Sequence, residues 1–228
     1  MKKVITIDGP AESGKSTLAK NLSKKLGNFV LLDTGSYFRW ATYLCLKDGI
    51  DLFNRREVYN HVKDKMNLEF ENEGSSDEMI VRHKGKKINE KIFALRISQH
   101  VSEPAQHYLL RNLIKKQMRL LAKKTNVVLA GRDTGTFTFP EAKLKIYLVS
   151  DIEKRAKRRF NDMKKKGKEV SFQDILTQMK ARDRRDSEEK DSPLKKPRSA
   201  VVVDNSDMTE RKTLNFILRI LEDKKIIS

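Results

Sequence analysis

The stretch Val4-Ile5-Thr6-Ile7-Asp8-Gly9-Pro10-Ala11-Glu12-Ser13-Gly14-Lys15-Ser16-Thr17 decides the fold. Residues 3–8 form a short β-branched run, the pattern of a strand buried on both faces. Residues 15–26 carry Leu18, Ala19, Leu22 and Leu26 at helical spacing, and Gly27 stops the run. Between them, Gly9 to Ser16 fits G-x-x-x-x-G-K-[ST]. Glycines there let the backbone curl so that successive N–H groups surround phosphate oxygens. The helix that follows adds the positive end of its dipole. Lys15 can then reach the β- and γ-phosphates of a nucleoside triphosphate, and the Ser16 hydroxyl can hold Mg²⁺. Gly9, Pro10, Ala11, Glu12, Ser13, Gly14, Lys15, Ser16 and Thr17 are thus the candidate nucleotide-binding residues, with Ser16 the candidate metal ligand. Glu12 adds a negative charge to the loop, and its side chain is expected to point outward.

Working outward, Phe29-Val30-Leu31-Leu32 reads as a second buried strand, followed by a helix over roughly 36–47 that Gly49 stops. Residues 67–92 change character. Leu68 and Phe70 alternate with polar residues, Gly74-Ser75-Ser76-Asp77 and Lys84-Gly85-Lys86 are turns, and Met79-Ile80-Val81 and Ile88 resume extended spacing. This predicts a small antiparallel meander inserted into an α/β pattern. A helix is expected over about 103–124, opening at Ser102-Glu103-Pro104. Strands follow at 127–130, 144–148 and 201–204. Ser150-x-x-Glu153 is a capping-box signature for a helix that Gly167 breaks. Residues 172–185 are helical again, and Asp207-x-x-Glu210 starts a last helix with Leu214, Ile217, Leu218 and Leu221 on one face. Strands alternating with helices imply a parallel sheet covered on both faces.

The 228 residues suffice for a full core without staples. A single cysteine, Cys45, excludes an internal disulfide framework and a cysteine zinc cluster, and reads as a small core residue. The apolar runs, about five residues at most, fall far short of the ~18 needed to cross a bilayer. Asp8 ends the first of them below signal-peptide length, so the expectation is a soluble, cytoplasmic protein. The four histidines show no metal-ligand pattern. Net charge is +18, and 35% of residues are charged against a usual ~25%. Such a charge favours anionic partners, although lysine on solvated helix faces accounts for much of it.

Two further clusters stand at strand ends: Asp33-Thr34-Gly35-Ser36-Tyr37-Phe38-Arg39 and Gly131-Arg132-Asp133-Thr134-Gly135-Thr136. In an open α/β sheet, ligands bind outside the carboxyl ends of the strands. Arg39 and Arg132 can therefore hold a second phosphate by bidentate bonds. Residues 151–198 carry 17 basic and 10 acidic side chains, including Arg155, Arg158, Arg159, Arg182 and Asp186. A positive lid over a polyphosphate is one reading, and a nucleic-acid face is the other. Aromatic residues are sparse there, only Phe160 and Phe172, both at core-like positions.

From Met1 to about Leu221 the chain resembles the bacterial-type cytidylate kinases, nucleoside monophosphate kinases of the P-loop superfamily. The stretches that carry the resemblance are Ile5 to Thr17, Leu32 to Arg39 and Gly131 to Thr136 with Phe139-Pro140. They continue with Glu153 to Arg159, Arg182-Asp183 with Arg185-Asp186, and Ser192-Pro193-Leu194. The resemblance implies an α/β P-loop three-layer fold with a five-stranded parallel sheet, a small antiparallel β insert and a helical lid. The whole chain, 1–228, would be one such domain. Its core would be about 1–35, 94–155 and 185–228, the monophosphate-binding insert about 36–93 and the lid about 156–184.

The activity implied is transfer of the γ-phosphoryl of ATP to CMP or dCMP with Mg²⁺, in pyrimidine nucleotide metabolism. A monomer is the default expectation for so compact a kinase, the short apolar runs argue against a membrane partner, and the sparse aromatics weigh against nucleic acid. Thr34, Arg39, Ser102, Arg111, Arg132, Asp133, Arg182 and Asp186 match the family's monophosphate-site positions. Ser102, Arg111 and Asp133 would contact cytosine, Arg182 and Asp186 the ribose, and Arg39 and Arg132 the acceptor phosphate. Lys15, Arg132, Arg155, Arg158 and Arg159 would act on the transferring group.

Plainer roles stand beside these. Ser102 could cap the helix after it, Arg111 could be solvated, and Asp186 could brace Arg182 at i+4. The chain also departs from the family. Phe38 stands where most members carry tyrosine, with Tyr37 beside it, and Glu12 stands at a small-residue position. Glu189 stands where an arginine that contacts the acceptor phosphate is usual. Losing one charge-assisted bond of about 1.5–3 kcal/mol would weaken substrate ~10–100-fold, with Lys190 the candidate substitute. Two rival readings follow: a kinase shifted towards UMP, and a catalytically weak paralogue binding nucleotide or RNA through its basic surface.

Overall fold

The computed structural model describes residues 2–72, 79–165, 167, 169–188 and 193–227. The expected turn at Gly74 to Asp77, the Ser192 position, and Glu189 with Lys190 lie outside the described residues. The chain divides into two compact units, Leu26–Val127 and Lys3–Lys25 together with the chain from Val128 onward.

β1 (Val4–Asp8) and α1 (Lys15–Leu26) begin the second of these units. The first then runs β2 (Phe29–Asp33), α2 (Thr34–Lys47), α3 (Arg55–Val62), β3 (Leu68–Asn72), β4 (Met79–His83) and β5 (Lys86–Lys87). α4 (Asn89–Phe93), α5 (Leu95–His100), a 3₁₀ turn at Pro104–Gln106 and α6 (Tyr108–Lys124) follow. β6 (Asn126–Gly131) leads back into the second unit. There a π-type turn at Thr134–Thr138, β7 (Leu144–Val149), α7 (Ile152–Lys165), α8 (Phe172–Glu188), β8 (Val201–Asp204) and α9 (Glu210–Asp223) complete the chain.

The protein is α/β, with a five-stranded sheet in the order β2-β6-β1-β7-β8 and a separate three-stranded sheet in the order β3-β4-β5. β7 pairs in parallel with both β1 and β8, Ile7 opposite Ile146 and Leu148 opposite Val203. The small sheet is antiparallel, with Phe70 opposite Val81, as the alternating pattern implied. β1 has β6 on one side and β7 on the other, so the loop at its carboxyl end opens at the point where strand order reverses.

Continuous burial along β1 explains its unbroken β-branched sequence. Ile5, Thr6, Ile7 and Asp8 are all fully buried. Ile146, Leu148, Leu129 and Leu22 are equally buried in this unit. Phe29, Leu32, Tyr37, Met66, Ile92, Leu110 and Met118 make the core of the other. Each such side chain contributes roughly 1.5–3 kcal/mol of burial. α7 and α8 have an apolar seam of their own: Ala156, Ile175, Leu176 and Met179, with Phe160 and Phe172 edge to face at 6.1 Å.

Several local expectations shift. α2 starts at Thr34, two residues earlier than its periodicity suggests, because the Asp33 carboxylate accepts from Gly35 N and Ser36 N and caps it. The helix expected from 103 begins at Tyr108. The Ser102 segment instead enters the 3₁₀ turn, and Ser102 makes no side-chain cap. In place of the Ser150 capping box, Asp151 Oδ1 accepts from Glu153 N and Lys154 N. At α9 the cap is Thr209, accepting from Lys212 N, and not Asp207. The short helices α3, α4 and α5 leave no readable period in the sequence. They bury few residues each: Val58 and Val62, Asn89 and Ile92, and Ile97.

Candidate functional site

The phosphate-binding loop takes its shape from glycines and from support by distant residues. Gly9 has φ +151°, and a Cβ there would lie 2.5 Å from the Leu148 carbonyl oxygen, so only glycine lets the chain pass β7. Gly14 has φ +86°, and Glu12 also lies in the left-handed region at +58°. A non-glycine residue is strained there. The site therefore favours glycine at position 12, where this chain carries a carboxylate.

Lys15 Nζ donates to the Pro10 carbonyl at 2.5 Å and lies 3.5 Å from Ser13 Oγ. Its ammonium is folded back over the loop. Burial, followed by the nearby charges of Arg132 and Arg182, lowers its pKa from 10.5 to about 8, while Asp8 and Glu12 pull the other way. Ser16 is exposed in the first turn of α1.

Arg155 and Arg159 reach the same loop from α7, and Arg158 turns to the segment after β8. Arg155 is buried. It donates to Ser150 O at 3.0 Å, to Ala11 O at 2.9 Å and to Asp183 Oδ2 at 2.6 Å. Its guanidinium thus ties α7, α8 and the loop together. Arg158 donates to Asn205 O at 2.9 Å, Ser206 O at 3.3 Å and Ser150 Oγ at 3.3 Å. Arg159 Nη1 meets Glu12 Oε1 at 3.2 Å. A cavity of about 340 Å³ opens beside Ala11 and Glu12, walled by Arg159, Met163, Asp174, Met179 and Arg182.

Arg132, at the end of β6, contacts Asp186 of α8, with Nη1 to Oδ1 at 2.5 Å. Arg182 approaches the same carboxylate at 4.0 Å. Asp186 is 6% exposed, against 42% for Arg132. Burial pushes its carboxyl above the ordinary range, against the pull of both arginines. Asp133 is buried, and its carbonyl accepts Phe137 N at 2.8 Å and Thr138 N at 3.2 Å, opening the π-type turn. Lys15, Arg132, Asp133, Arg155, Arg158, Arg159, Arg182 and Asp186 all belong to this one unit.

Thr34, Arg39, Ser102 and Arg111 belong to the other. Thr34 is the first residue of α2. Arg39 donates to Ser98 Oγ at 2.7 Å and lies over the Phe93 ring at 5.4 Å. Arg111 donates to Ala105 O at 3.1 Å and sits over Phe38 at 5.9 Å. The Phe38 ring thus faces a guanidinium. Tyr37 beside it is buried against Phe70, and burial raises its pKa. Ser102 is exposed, and its carbonyl accepts from Gln106 Nε2 at 3.2 Å.

Three supporting residues escaped the sequence reading. Asn205 Nδ2 donates to Ser13 O at 2.8 Å, Asp183 holds Arg155, and Asp8 accepts three hydrogen bonds from Thr134 and Gly135. Asp8 and Asp183 lie within the motif stretches at Ile5 to Thr17 and Arg182-Asp183, but residue type alone does not assign them these partners. Nothing near Asn205 in the sequence marks it. Phe160 and Phe172 pack on each other edge to face, partly buried against the α7–α8 seam, in keeping with the core-like positions expected for them.

Residues 5–223 match the family model for cytidylate kinase. A cytidylate kinase of Fusobacterium nucleatum subsp. nucleatum is 37% identical over 222 residues, covering 97% of this chain and 98% of that protein. One from Bacillus subtilis is 34% identical over 223 residues, covering 98% of each. A bifunctional pantoate ligase/cytidylate kinase of Prochlorococcus marinus is 37% identical over 224 residues, 98% of this chain and 43% of that protein.

Proposed function

The chain belongs to the cytidylate kinase family, and on that premise we propose that it transfers the γ-phosphoryl group of ATP to CMP or dCMP, giving ADP and CDP or dCDP. One observation supports the reading most directly. The Gly131 to Thr136 segment and the phosphate-binding loop lie in one unit, close enough for Arg132 and Arg182 to perturb Lys15. An acceptor phosphate held by Arg132 would then face a donor held by Lys15.

The residues are assigned as follows. The loop from Gly9 to Thr17 cradles the donor phosphates through backbone N–H groups, and Lys15 neutralises the β- and γ-phosphates. Arg39 and Arg132 hold the acceptor phosphate. Ser102, Arg111 and Asp133 read cytosine, Arg182 and Asp186 the ribose, and Thr34 lines the same acceptor position. An oxygen of the CMP phosphate attacks the γ-phosphorus as the bond to the β,γ-bridging oxygen breaks, and ADP leaves. The attacking oxygen is already ionised, so no strong general base is needed. Positioning and charge neutralisation supply the catalysis, with Arg155, Arg158 and Arg159 meeting the transferring group.

Mg²⁺ fits the exposed hydroxyl of Ser16, a hard oxygen ligand at the head of α1. It would be held there together with donor phosphate oxygens and would neutralise their charge. The same reading takes residues about 36–93 as the acceptor-binding insert and 156–184 as a lid that excludes water on closing. The protein would work as a monomer in the cytoplasm. Among the described residues no helix is long and apolar enough to cross a membrane.

The test is a coupled ADP-release assay at ~1 mM Mg-ATP, near typical KM values, with CMP, dCMP, UMP and AMP in parallel. Saturable turnover with CMP and dCMP is expected. Faster turnover with UMP would overturn the base assignment, and none with any acceptor would overturn the kinase reading. Glu189→Arg run beside wild type asks whether the family's arginine still adds affinity. A fall in the KM for CMP of about 10-fold is expected.

A further inference from the structure

Asp8 is the last residue of β1, immediately before Gly9, and its side chain is completely buried. Oδ1 accepts from Thr134 N at 2.8 Å and from Thr134 Oγ1 at 2.8 Å, and Oδ2 accepts from Gly135 N at 2.7 Å. These bonds answer a specific need. The turn at Thr134–Thr138 is closed by Phe139 N to Thr134 O at 2.7 Å and Thr138 N to Asp133 O at 3.2 Å. The first N–H groups of such a turn have no partner within it, and buried ones require an acceptor from elsewhere. Asp8 provides it from more than 120 positions away in the chain.

The fit is close. A Cβ on Gly135 would meet Thr6 Oγ1 at 2.8 Å, Pro197 Cγ at 2.9 Å and Asp8 Oδ2 at 3.1 Å. The turn is therefore seated on β1 with little room to shift. π-type turns often occur at functional sites. Here the two residues that enter the turn are Arg132 and Asp133. All three of Asp8's hydrogen bonds run into this turn, and its burial withholds it from solvent. Its carboxylate is placed to hold this turn.

We propose that Asp8 is a positioning residue for the acceptor side of phosphoryl transfer: by holding Thr134 and Gly135 it sets where Arg132 and Asp133 point. The inference rests on the kinase reading above. The donor loop also leaves β1 at Asp8, but the carboxylate's hydrogen bonds run to the turn that carries the acceptor arginine and not to that loop, so the acceptor side is what its loss disturbs. Misplacement of a binding group by about 1 Å is enough to lower rate on the order of 100-fold.

The test compares wild type, Asp8→Asn and Thr134→Val in steady-state kinetics with CMP and Mg-ATP, alongside calorimetric titration of Mg-ATP. Asp8→Asn keeps the shape but sets an amide where an acceptor is needed. It is expected to raise the KM for CMP by on the order of 10–100-fold while the Kd for Mg-ATP moves less than about 2-fold. Thr134→Val removes only the hydroxyl bond and should raise the same KM by about 3–10-fold. It also keeps the test alive if Asp8→Asn fails to fold. In the double variant the two effects should fall short of multiplying, because one network is broken twice. An unchanged KM for CMP in Thr134→Val, or a Kd for Mg-ATP that worsens as much as the KM for CMP, would overturn the assignment. A wild type without CMP turnover would bring down the kinase reading itself. Normal wild-type kinetics with an unmoved KM in the variants would bring down this inference alone.

Discussion

Glu12, inside the phosphate-binding loop, holds Arg159 of α7 with 3.2 Å between Oε1 and Nη1. On the proposed reading, a carboxylate thus occupies an arginine that the mechanism directs at the donor phosphates. Both side chains are partly exposed, 32% and 48%, so the pair itself is worth only about 0–1 kcal/mol. Glu12 also sits at φ +58°, a conformation that is comfortable for glycine. Glu12→Gly removes the competing charge and the backbone strain together. Calorimetric titration should show Mg-ATP binding tighter by about 2–5-fold, with thermal stability maintained. Weaker nucleotide binding would mean that Glu12 assists the donor.

Lys15, with its pKa at about 8, should take up a proton when a polyphosphate arrives, because nearby negative charge favours the ammonium. Titrations of Mg-ATP at pH 8 in buffers of different ionisation enthalpy should report uptake of about half a proton, fading towards pH 6.5. The uptake should vanish in Lys15→Met, and turnover should fall by on the order of 100-fold or more. The linkage to folding has the same origin. Between pH 8 and 10.5 the unfolded chain binds this proton more than the folded one, so Lys15's contribution to stability improves as pH rises across that window. A wild-type minus Lys15→Met difference in unfolding free energy, measured at pH 7.5 and 10, should show that slope.

Asp33→Ala tests the helix start that local periodicity misplaced. The carboxylate accepts from Gly35 N at 3.1 Å, Ser36 N at 2.9 Å and Ser36 Oγ at 2.8 Å. Loss of such a cap costs about 1–2 kcal/mol. At this chain length that lowers Tm by roughly 2–8 °C. Asp33→Asn, which can still accept at its carbonyl, should recover most of the loss in a calorimetric scan.

Cys45 is completely buried, and burial raises its thiol pKa to about 11. Protein thiols react as thiolates, so a disulfide reagent at pH 8 should find no reactive group in the native protein and one after denaturation. The rate of labelling in mild denaturant then reports opening of the unit that contains it. Rapid labelling of native protein would contradict this packing.

The parts of the fold legible in the sequence are those whose signal is local. A β-branched run buried on both faces, a glycine-lysine loop and a helix of 3.6-residue period lie side by side from Val4 to Leu26, and each is self-announcing. The same holds for Leu144 to Val149 and for the alternating residues of β3 and β4. Helix beginnings were less readable wherever two cap-competent residues were neighbours. Ser150 and Asp151, or Asp207 and Thr209, offer similar side-chain oxygens to the chain. Which one caps depends on backbone dihedrals that the rest of the fold imposes. α4 and α5 hide because a five- or six-residue helix burying one or two side chains shows no period.

The sequence by itself determined the glycine-lysine loop after β1, the alternation of strands and helices, and the family to which the chain belongs. These follow from residue type and short-range spacing, which the backbone translates directly into periodicity and turn geometry. Only the tertiary structure decided what each polar side chain touches. Arg155 serves Ala11 and Asp183, Arg132 finds Asp186, Asn205 reaches Ser13, and Asp8 holds Thr134 and Gly135. These partners lie between 28 and 192 positions apart in the chain. No short-range preference links them. They meet because a buried polar group must find a partner, and the packing of the sheet determines which one lies within reach.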